Sequence, residues 1–172
     1  MADVWLSQSE QLAWRTYLRA HALLDAHLNR QLQSETQLSQ ADYGVLVHLS
    51  EAPDERLRGY ELARGLQWEK SRLSHHLGRM ERRGLVQRRE CPTDGRGAFV
   101  QLTDFGRRRI MAAAPVHVRD VRQWFVDLLT PQQLRDLQSI NDSLLAKLEA
   151  IDSACPGVEA CPEANGEDCG GE

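Results

Sequence analysis

The segment from Gly59 to Arg109 most restricts what this 172-residue chain can become. It opens with a short amphipathic stretch, Tyr60 to Leu66, whose apolar positions are Leu62, Ala63 and Leu66. A break at Gln67 to Glu69 separates it from a second amphipathic stretch, Lys70 to Arg83. There Leu73, Leu77 and Met80 recur four and three apart, which is one face of a helix. The remaining positions carry Arg72, Ser74, His75, His76, Arg79, Arg82 and Arg83. Gly84 stands where a left-handed C-terminal cap would end that helix. Leu85 to Arg89 and Ala98 to Leu102 then flank a turn rich in Pro, Asp and Gly, which is the pattern of a hairpin. Helix, turn, basic helix and basic hairpin in this order predict a winged helix-turn-helix, with the second helix entering the DNA major groove.

Charge is distributed to match. Residues 59–110 hold 12 Lys and Arg against 6 Asp and Glu, a net of +6. The whole chain holds 21 against 25, so the remainder, 9 against 19, nets −10. A basic island in an acidic protein is the footprint expected for a polyanion partner. A merely solvated basic face is the alternative. It is disfavoured because the basic residues coincide with the helix and the hairpin.

Within the second helix, Arg72, Ser74, His75 and Arg79 are the candidates for contact with bases or adjoining phosphates. An arginine fork matches guanine, and serine serves several bases. Lys70 and Ser71 lie at the helix start, where backbone N–H groups favour phosphate. His75 and His76 read as polar contacts with DNA rather than as metal ligands or a pH switch. Trp68, just before the helix, reads as a plug in the core rather than a stacking residue. In the hairpin, Arg96 between two glycines suits a narrow minor groove. Asp94 would orient an arginine, or serve the turn alone. Arg88 and Arg89 alternate faces of a strand, so one of them at most meets DNA directly, and Arg88 is the candidate.

The run Asp94-Gly95-Arg96-Gly97, followed by Val100-Gln101-Leu102-Thr103 and Gly106, resembles the wing of the MarR family of bacterial transcription regulators. The helix from Ser71 to Arg83, continuing into Gly84-Leu85-Val86, is similar to that family's recognition helix. The resemblance extends over Leu6 to Ala150. It implies a mostly α fold with a small β-wing, a winged helix-turn-helix joined to a helical dimerisation lobe. The whole of residues 1–151 would form one subunit. Residues 6–34 and 111–150 would supply the dimerisation lobe, and residues 39–110 the DNA-binding lobe. The partners implied are double-stranded DNA with a pseudo-palindromic operator, a second copy of the chain, and a small-molecule effector. The effector pocket would lie between the lobes. Trp14, Arg15, Tyr17 and His21 on the first helix and His48 on the second would line it. Arg15 beside aromatic rings suits an aromatic carboxylate, and an Arg15 simply solvated on the helix surface is the alternative.

Local signals mark the other helices. Ser7 with Glu10 has capping-box spacing and starts a helix over residues 7–34. Its leucines recur too widely for one narrow stripe, as in a helix buried on more than one side. Ser39 and Asp42 open a helix to about Ser50, stopped at Ala52-Pro53-Asp54. Arg56-Leu57-Arg58 is placed to pair with the wing as a third strand. Thr103 caps a helix expected to reach Leu129, with a bend at Pro115. Thr130-Pro131-Gln132-Gln133 starts a last helix with an apolar stripe from Leu134 to Leu148. From Asp152 onwards the chain is acidic, has no Lys or Arg, and has the composition of a disordered tail (residues 152–172).

Catalysis has no support in the residue pattern. The histidines are scattered, and neither a nucleophile set nor a phosphate-binding glycine loop is present. Cys155, Cys161 and Cys169 are separated by five and seven residues, which is not a zinc spacing. Cys91 lies among arginines that would favour its thiolate, but the family's redox sensors carry their cysteine in the first helix, where this chain has none. The expectation is therefore a DNA-binding regulator without cofactor or metal, repressing until a ligand releases it. An effector-independent regulator or activator, or a helical protein-interaction module, stands as the alternative. The N-terminus lacks the pattern of a secretory signal and no apolar run is long enough for a membrane span, so a cytoplasmic location is expected.

Overall fold

A computed structural model describes residues 5–90 and 98–154. Helix α1 runs Gln8–Thr36, α2 Gln40–Glu51, α3 Gly59–Gly65, α4 Lys70–Arg82, α5 Asp104–Trp124 and α6 Pro131–Ala154. Strands β1 (Arg56–Arg58), β2 (Val86–Glu90) and β3 (Ala98–Leu102) form an antiparallel sheet in the order β1-β3-β2. Leu57 pairs with Val100 on one side, and Arg88 pairs with the same residue on the other. The fold is mostly helical with a small wing, as the sequence leads one to expect. The short Arg56–Arg58 run is indeed the third strand. No helix among the described residues is long and apolar enough to cross a membrane.

Helices α1, α2 and α6 begin where local chemistry places them. The Ser7 backbone N–H donates to Glu10 at 2.7 Å, and the Ser7 hydroxyl accepts from the Glu10 N–H. Ser39 and Asp42 make the same reciprocal pair at 2.9 and 3.0 Å, as do Thr130 and Gln133 at 2.8 and 3.2 Å. Each box satisfies two of the backbone N–H groups a helix start leaves open. Helix α4 ends on Gly84 at φ +70. Gly84 N–H donates to Glu81 O and Leu85 N–H to Met80 O, which completes a Schellman motif with both Met80 and Leu85 buried.

A first compact unit ends at Leu128 and a second begins at Leu129. The core of the first gathers Leu46 and Leu49 of α2, Leu62 of α3, Met80 of α4, Leu102 of β3 and Ile110 of α5. Helix α1 joins this core only near its end, through Leu32, and otherwise exposes Leu12, Trp14, Tyr17, Leu18 and Leu23. The start of α5 is locked to the wing. The Thr103 hydroxyl donates to Gly84 O at 2.6 Å and accepts from Gly106 N–H at 2.9 Å. Gly106 lies so close to Leu85 that an added Cβ would stand 2.0 Å from its carbonyl oxygen.

Helix α5 departs from expectation at its end. It passes through Pro115 as one element but stops at Trp124 rather than Leu129. Phe125 leaves the helical region at φ −141 and ψ −65, and a 3-10 turn, Val126–Leu128, follows. Trp124 is anchored by its ring, 4.4 Å from that of His27 on α1, and Arg122 pairs with Asp127 across the break. In the second unit, α6 exposes Ile140, Leu144, Leu148 and Ile151, spaced four, four and three apart on one face. The wing turn, with Cys91, Asp94 and Arg96, lies outside the described residues. So does the chain after Ala154, with Cys155, Cys161, Cys169 and most of the acidic tail.

Candidate nucleic-acid interface

Helix α4 carries the site. Its inner face is Leu73, His76, Leu77 and Met80, all buried. Burying that stripe fixes the rotation of the helix, so the remaining positions must face outward. Lys70, Ser71, Arg72, Ser74, His75 and Arg79 are all exposed on it, together with Arg82 and Arg83. Six of the residues expected from the sequence are thus brought together on one element. The turn before α4 is a second Schellman motif, with Gln67 in the left-handed region at φ +53 and Trp68 N–H donating to Ala63 O at 2.9 Å.

The arginines are held, not loose. The Arg72 guanidinium lies 4.3 Å over the Trp68 ring, a cation–π distance. Trp68 packs against the core, as a plug would, and serves as a shelf as well. An Arg79 guanidinium N–H lies 2.8 Å from His76 Nδ1. Arg88 turns from β2 back onto α4, with its Nη2 3.4 Å from Ser74 O and its Nε 3.4 Å from Glu81 Oε2.

His76 corrects the expectation of a polar DNA contact. It belongs to the buried stripe, three residues after Leu73 and four before Met80. Its Nε2 lies 3.1 Å from Asp42 Oδ1, an oblique approach rather than a straight hydrogen bond. Its ring meets Trp68 edge-on at 5.2 Å. On the other carboxylate oxygen, Arg83 donates to Asp42 at 2.7 Å and also to Gln37 O at 2.7 Å. Burial pushes the Asp42 carboxyl up. The contacts from His76, Arg83 and Ser39 outweigh burial and leave it well below the usual carboxylate range. Asp42 is therefore a fixed buried anion, joining the first turn of α2 to the back of α4. An open pocket of about 420 Å³ adjoins it, lined by Gln33, Gln37, Asp42, His76, Arg79 and Arg83 among others. Asp42 was visible in the sequence only as a cap. Its partners are 34 and 41 residues away, beyond any local pattern. The one available signal was that His76 falls on the apolar stripe.

The residues expected around an effector are arranged in two places. On α1, Trp14 stacks on Tyr17 at 5.8 Å, and Tyr17 on His21 at 6.1 Å, with Arg15 exposed beside them. On α2, His48 Nδ1 lies 3.0 Å from Gly44 O, and the ring packs against α3 at Gly65, where an added Cβ would stand 2.8 Å from it.

The fold that carries this site recurs in known proteins. The family model described as "MarR family" matches residues 36–97, from the end of α1 into the wing. AbsC, a MarR family transcriptional regulator from Streptomyces coelicolor, is 40% identical over 86% of this chain and 99% of its own, with a TM-score of 0.81. The chain belongs to the MarR family. Sco3205, a second MarR family regulator from Streptomyces coelicolor whose structure is of a complex with DNA, is 45% identical over 84% of this chain and 94% of its own, with a TM-score of 0.80. The transcriptional regulator HosA from Escherichia coli O111:H- is 29% identical over 59% of this chain and 74% of its own. The protein is thus a MarR family DNA-binding transcription regulator and not an enzyme. The family match spans Asp42, Trp68 and the whole of α4, so the buried network lies within the matched region.

Proposed function

We propose that this MarR family protein acts as a homodimeric repressor. It binds a pseudo-palindromic operator through α4 and the wing, and a small ligand, expected to be an aromatic acid, releases it. The observation that carries the DNA reading is the outward face of α4. Lys70 and Ser71 stand at its start for phosphate, and Arg72, Ser74, His75 and Arg79 follow for base edges, on a helix locked in rotation by its buried stripe. Arg96 of the wing would enter the minor groove with Asp94 orienting it, and Arg88 would brace the hairpin against α4.

The dimer reading is supported by apolar side chains that a single chain leaves in water. Leu12, Leu18 and Leu23 on α1 and Ile140, Leu144 and Leu148 on α6 are all exposed. Two-fold pairing would place two copies of α4 about one helical turn apart on DNA. For the effector, the stacked Trp14–Tyr17–His21 array with Arg15 offers aromatic faces and a cation. His48 rests on α3, so a ligand that moved His48 would disturb the helix-turn-helix.

The test is selection of bound fragments from a random DNA pool by the full chain, followed by sedimentation of the protein at low micromolar concentration. Enriched inverted repeats and a dimer are expected. Retention of DNA without any shared sequence, or a monomer that binds an inverted repeat tightly, would overturn the reading. Arg72→Ala should relax the selected sequence at one position of each half-site, a loss of about 1–3 kcal/mol in discrimination.

A further inference from the structure

We propose that His76 is a positioning residue for sequence readout, holding Arg79 in its reading orientation only while the imidazole is neutral, so that acid relaxes sequence preference. The inference rests on the reading that the outward face of α4 meets base edges.

The geometry carries it. Arg79 can only donate, so the nitrogen it approaches at 2.8 Å, His76 Nδ1, must offer a lone pair. The proton of the neutral ring then sits on Nε2, the nitrogen that faces Asp42 at 3.1 Å. That tautomer leaves Nδ1 free to accept and turns the ring proton towards the Asp42 side. The side chain of His76 is 8% exposed, and Trp68 closes one edge of the ring. A ring so enclosed cannot turn to present a different atom to Arg79. A second proton has only Nδ1 to occupy. Once there, it places a donor against a donor and a cation against a cation, and the guanidinium must leave. The open pocket beside it, which Arg79 itself lines, gives it somewhere to go.

The charged groups facing the ring are few. From α2 comes Asp42, and from α4 come Arg79 and, through the other Asp42 oxygen, Arg83. Helix α1 contributes only the uncharged Gln33 and Gln37 to the adjoining pocket, and the turn before α4 contributes Trp68. Whether Arg79 is held is therefore tied to one proton. Exposed His75 works in the other direction. Its protonation adds a cation on the DNA-facing side and strengthens binding to any duplex. Affinity alone would mix the two effects, but the ratio of specific to random binding separates them.

The experiment measures that ratio for the full chain, with a selected operator and a random duplex of equal length, at fixed salt between about pH 8 and pH 5.5, where histidines change charge. The His75→Ala background removes the neighbouring titration. The ratio should fall about tenfold on acidification, the size of one lost readout contact. His76→Asn places an amide oxygen near the Nδ1 position and does not titrate, so its ratio should stay high and flat. His76→Gln extends beyond that position and should give a low, flat ratio, like Arg79→Ala. Nitrogen NMR of the His76 ring in the wild-type chain supplies a readout that needs no variant to fold. Protonation at Nδ1 should track the fall in the ratio. A ratio that stays flat while Nδ1 becomes protonated, or one that falls equally in His76→Asn, overturns the proposal. A wild-type ratio near one at pH 8, or an unchanged ratio in Arg79→Ala, would instead refute the underlying reading of α4, and the inference with it.

Discussion

Removing the Asp42 carboxylate should loosen the DNA-binding lobe more than any exposed substitution on α4. Asp42 accepts from the Ser39 backbone at 2.9 Å and from Arg83 at 2.7 Å, and faces His76 at 3.1 Å. A hydrogen bond to a charged group is worth about 1.5–3 kcal/mol net, and a cap about 0.5–2 kcal/mol. Stranding a buried charge would cost about 3–5 kcal/mol, but Asp42→Ala does not do that in full. The Arg83 side chain is 42% exposed and can return to water. About 2–4 kcal/mol is therefore expected for Asp42→Ala, or a fall of about 5–15 °C in Tm for a chain of this size. Asp42→Asn keeps the shape and an acceptor and should lose roughly half as much.

The assay is urea denaturation at fixed protein concentration, since coupling to a dimer would make the midpoint concentration-dependent. A pH series adds a check on cause. The folded carboxyl is held below its unfolded value of about 3.9. Its stabilisation is thus present above that value and is lost as pH falls through the folded one. The difference between wild type and Asp42→Asn should accordingly narrow only below about pH 4. If Asp42→Ala shifts stability by less than about 0.5 kcal/mol, the typical surface effect, the network is ornament and the reasoning fails.

Gly106→Ala should be destabilising, although alanine is intrinsically better in a helix by about 1 kcal/mol. The new Cβ would stand 2.0 Å from Leu85 O, which is backbone and cannot swing aside, so overpacking of about 1–3 kcal/mol should dominate; a raised Tm would show that α5 and the Leu85 backbone are not in such contact. Arg96→Ala should weaken operator binding by about 1–3 kcal/mol and lower the salt slope by about one ion. Asp94→Ala should also weaken binding, against simple electrostatics, if Asp94 orients an arginine. Tighter binding by Asp94→Ala in the same salt titration would reduce Asp94 to turn chemistry.

The helix starts were legible because their determinants are three residues apart: Ser7 with Glu10, Ser39 with Asp42, Thr130 with Gln133. The end of α4 was legible for the same reason, since Gly84 supplies the left-handed residue a Schellman motif requires. The early stop of α5 was not. It depends on Trp124 meeting His27, almost a hundred positions earlier. His76 was misread because its neighbour His75 is exposed and the pair looks uniform in sequence. Only the period of the buried stripe separates them, and a polar residue on that stripe needs a partner that local rules cannot supply. Asp42 is that partner. Its capping of α2 accounts for an aspartate at that position from local sequence alone, and its second role depends on residues 34 and 41 positions away.

The placement of that buried carboxylate also bears on how the interface reads DNA. A long arginine that must be ordered on binding costs about 0.5–1.5 kcal/mol each time. Arg72 on Trp68 and Arg79 on His76 are ordered before DNA arrives, and their two supports touch each other edge to face. An aspartate at the surface beside them would repel phosphate. Asp42 is instead buried, with Arg83 on its second oxygen, so the outward face of α4 stays positive. Arg88 is ordered differently. Its nearest partners, Glu81 and the Ser74 carbonyl, are both 3.4 Å away, and Glu81 offsets its charge. An arginine so placed contributes less to phosphate attraction than a free one, and its side chain ties the hairpin to the recognition helix. Specificity should therefore be concentrated in Arg72 and Arg79, whose supports are aromatic rings rather than carboxylates. Removal of Arg88 should act on both half-sites without changing which sequence is preferred.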